Sequence, residues 1–165
     1  MLISLADQLH EAIQEEIRFA EALFKLGVEK RDALVRVETS GVDELTRREQ
    51  RVLIGLGSAG ALRMQLTSRL GDCVGLAKPS VTEISRKTGE PHATRLRSSA
   101  GRLREALTKL ATITKTNREL TRESMGFVKT FFGLLGSNGQ EKNGYGKPGY
   151  APPVAPGRLM IDEVV

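Results

Sequence analysis

No proline stands between Met1 and Lys78, or between His92 and Lys147; all six fall at 79, 91, 148, 152, 153 and 156. Proline removes an amide donor and fixes φ, so its placement limits where long helices can run. The two proline-free tracts are filled with apolar residues at seven-residue spacing. In the first, Leu2, Leu9, Glu16, Leu23, Lys30 and Val37 share one heptad position, and Leu5, Ala12, Phe19, Leu26 and Ala33 share the other. Only Glu16 and Lys30 interrupt that seam, while Ile13, Ile17, Ala20 and Phe24 widen it on one side. A helix over 3–38 would be about 54 Å long, beyond the usual globular length of about 11–12 residues. The expectation is a coiled-coil rod.

The tract 92–135 repeats the pattern. Leu96, Leu103, Leu110, Asn117, Ser124 and Phe131 hold one seam position; Ser99, Ala106, Ile113, Leu120, Phe127 and Leu134 hold the other. A buried amide in a leucine seam costs stability and fixes register, which gives Asn117 that role. Beyond it Met125, Phe127, Val128, Phe131, Phe132, Leu134 and Leu135 crowd more than one helix face. Such a helix must be covered by its own domain, by a copy of itself or by a bound protein.

Between these tracts, Thr39-Ser40-Gly41 breaks the first pattern, and Ser40 or Asp43 can cap a second helix over 43–71. An irregular stretch 72–91 contains Ser80-Val81-Thr82-Glu83, a capping box that opens a short helix to about Thr88. Residues 136–157 hold six glycines and four prolines, which cannot support a packed core. The expected fold class is therefore all-α. It is an elongated antiparallel helical bundle or coiled coil of two or three long helices, with a short connecting helix. The bundle domain is placed at 1–136 and a flexible, disordered Gly/Pro-rich tail at 137–165.

Charge is uneven along a chain of net charge +5. Residues 1–38 carry five basic and eight acidic groups, and residues 79–136 carry eleven and five. That asymmetry suits pairing between antiparallel helices of one molecule better than an outside anionic partner. Cys73 is the single cysteine, so no disulfide forms, and with His10 and His92 it leaves no tetrahedral metal site within one chain. Both histidines read as solvated, no catalytic constellation stands out, and the chain is expected not to be an enzyme. The uncharged run Val52–Leu62 is too short and glycine-rich to span a bilayer.

Two motifs compete with the bundle reading. Gly55-Leu56-Gly57-Ser58-Ala59-Gly60 is a literal GxGxxG, yet apolar residues at 56, 62, 66 and 70 continue in helical register and further strands are lacking. Close packing or a kink would then offset glycines that cost about 0.8–1 kcal/mol each. Residues 80–104 imitate a helix-turn-helix, with Arg95, Arg97, Arg102 and Arg104 on the second helix. The alternative function is accordingly a DNA-binding regulator using residues 95–104, although a recognition helix of some forty residues would be unusual.

The segment Thr116-Asn117-Arg118-Glu119-Leu120-Thr121-Arg122-Glu123-Ser124-Met125-Gly126-Phe127-Val128 resembles the signature of the FlgN family of flagellar export chaperones. Gly144-Tyr145-Gly146-Lys147-Pro148-Gly149 is similar to the family's glycine-rich tail. Lys30-Arg31-Asp32-Ala33-Leu34 and Val42-Asp43-Glu44-Leu45, with Glu49 and Arg63, agree in layout. The resemblance covers 2–150; the glycines at 55, 57 and 60 depart from it. It implies a cytoplasmic, non-enzymatic chaperone that needs no cofactor. Its partners would be hook-associated proteins of the FlgK and FlgL type and a component of the export gate. Asn117, Leu120, Ser124, Phe127, Val128, Phe131 and Leu135 are the expected client-binding residues, with Tyr145 as a contact to the gate. A homodimer seam through 125–135 is the competing use of the same apolar surface.

Overall fold

The computed structural model describes residues 2–137, with side-chain surroundings as far as Leu134. Every regular element among them is helical: α1 (Leu2–Val35), α2 (Thr39–Val74), α3 (Val81–Lys87) and α4 (His92–Ser137). The protein is an all-α helical bundle. It divides into two compact units, residues 1–128 and residues 129–165.

In the first unit, the two residues that interrupt the α1 seam are the ones that bond to α2. Glu16 Oε2 accepts from Arg63 Nε at 2.6 Å, and Lys30 Nζ donates to Glu49 Oε2 at 2.7 Å. As the α1 number rises by fourteen the α2 number falls by fourteen, so the helices are antiparallel. α4 lies parallel to α1: Asp7 meets His92 and Arg95, Gln14 meets Ser99 and Arg102, and Asn117 reaches Gly27. The acidic first helix thus does pair with the basic last one, but side by side in the same direction. The main core joins all four helices, with Leu9, Ile13 and Ile17 packed among Leu66, Leu70, Ile84, Leu96 and Leu103. A smaller cluster of Leu26, Ala33 and Leu45 closes the α1–α2 hairpin end.

That hairpin turns earlier than the sequence implied. Thr39, Ser40 and Gly41 lie inside the first turn of α2, and the break is at 36–38. The Glu38 amide donates to the Ala33 carbonyl and the Val37 amide to the Leu34 carbonyl, the paired bonds of a Schellman ending. Its left-handed position is normally glycine, yet here it is Val37 at φ 59°. A β-branched side chain in this conformation is strained by about 1–2 kcal/mol. Val37 is exposed, so its side chain has little packing to lose. Val37→Gly is expected to stabilise the protein by about 1 kcal/mol after the added freedom of unfolded glycine is counted. Urea unfolding of the two proteins checks this.

The GxGxxG lies in the interior of α2, which is one helix from Thr39 to Val74. A Cβ at Gly55 would overlap the Phe19 ring, and one at Gly60 would come within 3.2 Å of Glu16 Oε1. Two of the three glycines therefore admit α1 side chains, whereas Gly57 faces open space. At the far end of α2, Gly75 takes the left-handed cap at φ 71°. The buried Gly71 lets Pro79 and the Leu76 carbonyl approach the helix backbone. α3 opens with the expected box: Ser80 Oγ accepts from the Glu83 amide, and Glu83 Oε2 accepts from the Ser80 amide.

Within the second unit the described residues are the last turns of α4. Phe131 and Phe132 are exposed there, their rings meeting edge to face with centroids 6.2 Å apart.

Candidate functional site

The α4 seam is buried at Leu96, Ser99, Leu103, Ala106, Ile113 and Asn117, half-buried at Leu110 and Leu120, and then stops. From Thr121 to Leu134 every residue is exposed. Within the first unit, as far as Val128, the cause is length. Hydrogen bonds between α1 and α4 join residues 85 to 90 apart in sequence. On that offset α1, ending at Val35, comes level with about residue 120–125 of α4. The heptad sequence continues past the helix that could cover it.

In the first unit this leaves Met125, Phe127 and Val128 exposed, Phe127 at 74%. In the second unit Phe131, Phe132 and Leu134 are exposed. Ser124 is exposed as well. Asn117 lies apart from them, buried against α1, where its Nδ2 donates to the Gly27 carbonyl at 2.8 Å. Gly27 makes that reach possible, since a Cβ there would press on Ile113 at 3.0 Å. The Asn117 Oδ1 is buried without a hydrogen-bond partner, which is the stability cost expected of a register-setting amide. The side chain of Leu135 and all of Tyr145 lie outside the described residues. This part of α4 can bury apolar surface and offers no acid, base or nucleophile constellation.

The two histidines are not free on polar faces, as their sequence surroundings suggested. The parallel packing of α4 on α1 gathers both into one seam. Ser99 Oγ donates its single proton to the Arg95 carbonyl at 2.9 Å and accepts from Gln14 Nε2 at 3.0 Å. His10 Nδ1, 2.8 Å from the same oxygen, is then the donor towards it. Asp7 Oδ1 lies 3.1 Å from both His92 Nδ1 and Arg95 Nη1. Residues 85 or more apart make these contacts, and no motif in the sequence links them.

Partial burial first, and then the Arg95 guanidinium, lower the His10 pKa below its ordinary 6.5, against Asp7 and Glu11, which raise it. A base whose pKa is depressed by folding contributes stability that is present above its unfolded value and lost as pH falls through the folded one. The melting temperature is therefore expected to hold above pH 6.5 and decline below it. His10→Gln should flatten that acid limb, as thermal melts across the pH series would show.

Other residues are engaged within the chain. Arg95, Arg97 and Arg102 hold Asp7, Glu90 and Gln14. Among the described residues no helix is long and apolar enough to cross a membrane. α2 also carries Leu53, Ile54 and Met64 in the open, a feature the sequence presented only as an uncharged run.

The family model described as FlgN protein matches residues 1–153. No curated protein and no solved structure matches the chain.

Proposed function

The chain belongs to the FlgN family of flagellar export chaperones, and from that premise we propose that it binds hook–filament junction proteins of the FlgK and FlgL type in the cytoplasm. It keeps them from premature association and delivers them to the export gate. One observation carries this reading: α4 continues its apolar pattern over Thr121–Leu134 with every residue exposed. A client helix that exposes its own coiled-coil stripe before assembly finds in Leu120, Phe127, Val128 and Phe131 a surface of the same chemistry. Burying one phenylalanine is worth about 1.5–3 kcal/mol, so two of them can dominate a micromolar contact. Ser124 and Leu135 belong to the same tract of α4. Asn117 acts there by holding α4 in register on α1, and Tyr145 is the proposed contact with the gate. Exchange for a competing partner at the gate releases the client, without nucleotide or metal.

The alternative, DNA binding through residues 95–104, has less in its favour. Three of its four arginines are already engaged by Asp7, Glu90 and Gln14 of the same chain. Co-purification from the native cell, followed by identification of the bound polypeptide, tests the choice. Junction proteins are the expected companions, and recovery of nucleic acid in their place would overturn the proposal.

A further inference from the structure

We propose that the outer face of α2 is a self-complementary docking surface through which two copies of this chain pair antiparallel. Gln50, Leu53, Ile54, Gly57, Ala61, Met64, Gln65 and Ser68 are all exposed, and at 100° per residue they fall on one side of the helix. No charge interrupts that side over about five turns, in a chain whose residues are 27% charged. Leu53, Ile54 and Met64 are 56%, 72% and 65% exposed. Between them Gly57 has nothing within 4 Å of the position its Cβ would occupy.

The occupant is argued from the order of these residues. Leu53 and Ile54 at one end and Met64 and Gln65 at the other flank a low centre at Gly57 and Ala61, an order of large, small and large that repeats from either end, with Leu53 answered by Gln65. Laid antiparallel on itself about that centre, Ile54 meets Met64 of the second copy and Gly57 meets Ala61. Two-fold pairing requires this kind of self-match. The charges that bound the face agree with it. Arg47, paired at 2.8 Å with Asp43 one turn before it, lies at one end and Asp72 at the other, both exposed and both on the same side of α2. The same alignment brings Arg47 of each copy to Asp72 of the other. A single helix pair falls in the small class of interfaces, below about 1,200 Å² in total, so the dimer is weak and forms with rising concentration.

Sedimentation velocity of the full chain over a concentration series tests the pairing. Wild type is expected to shift from monomer to dimer. Gly57→Gln fills open space in the monomer and should keep its helicity while remaining monomeric throughout. Arg47→Glu should weaken the dimer about tenfold, and Arg47→Glu with Asp72→Arg should restore it. A wild type that stays monomeric at every concentration overturns the proposal, as does a dimer that ignores Gly57→Gln. A dimer broken by Phe127→Asp instead would place the seam on α4. A monomeric chain that loses a different protein partner on Ile54→Glu would assign the face to that partner.

Discussion

Replacing Arg63 with methionine is expected to destabilise the bundle by about 3–5 kcal/mol, a large fraction of the 5–15 kcal/mol that holds an ordinary domain together. Glu16 occupies a seam position of α1 and is 5% exposed, with its carboxylate 2.6 Å from the Arg63 guanidinium. Without Arg63 the carboxylate stays buried with no charge to answer it. Arg63 itself keeps about a quarter of its side chain in solvent, which moves the expectation to the lower end of that range. The double change Glu16→Met and Arg63→Met should recover most of the loss, because two apolar side chains can fill the same seam. Urea unfolding of the two single variants and the double variant gives the coupling directly. A loss below 1 kcal/mol for Arg63→Met would mean that the pair has no part in the packing of α1 on α2.

The pair also acts against misalignment. Sliding α1 along α2 by one heptad would set Glu16 and Lys30 against Leu56, Leu70 or Val42. Sliding it by two heptads would oppose Glu16 to Glu49, or Lys30 to Arg63. Either slip buries a lone charge or joins like charges. Lys30–Glu49 and Glu16–Arg63 thus specify one register for a leucine seam that would otherwise accept several.

Phe127→Asp is expected to lower affinity for a junction-protein client about a hundredfold or more. The change removes the burial of a phenylalanine, worth about 1.5–3 kcal/mol, and places a carboxylate in the contact. The free protein should hardly notice, with stability changing by less than about 0.5 kcal/mol, because Phe127 is 74% exposed. Calorimetric titration with a junction protein, beside a thermal melt of each variant, separates the two effects. Unfolding on Phe127→Asp would contradict its surface position, and unchanged affinity would remove it from the contact.

The long helices were legible because proline and heptad spacing are local signals. Leu9, Ile13, Leu96 and Leu103 declare a core by period alone, and the capping box at Ser80 declares its own helix start. Asn117 was legible as a register residue, but its partner, the Gly27 carbonyl, lies 90 positions away and has no sequence mark. The hairpin turn was misplaced because Val37, a residue that avoids left-handed φ, occupies the position normally given to glycine, while Gly41 sits nearby inside a helix. Glu16 and Lys30 looked like breaks until α2 supplied Arg63 and Glu49. The direction of α4 against α1 was also hidden, since a heptad stripe reads the same for either orientation. Crowding near Phe127 and Phe131 was visible. That α1 ends too soon to cover Phe127 required the offset between the helices.

Hydrogen exchange on the full chain, with and without a purified junction protein, tests the central claim most directly. On mixing, α4 amides over 121–134 are expected to gain protection, while those of the α1–α2 core at Leu9, Ile13 and Leu70 stay as they were. Protection arising elsewhere, or none at concentrations that hold the complex together, would contradict a client surface on the uncovered end of α4.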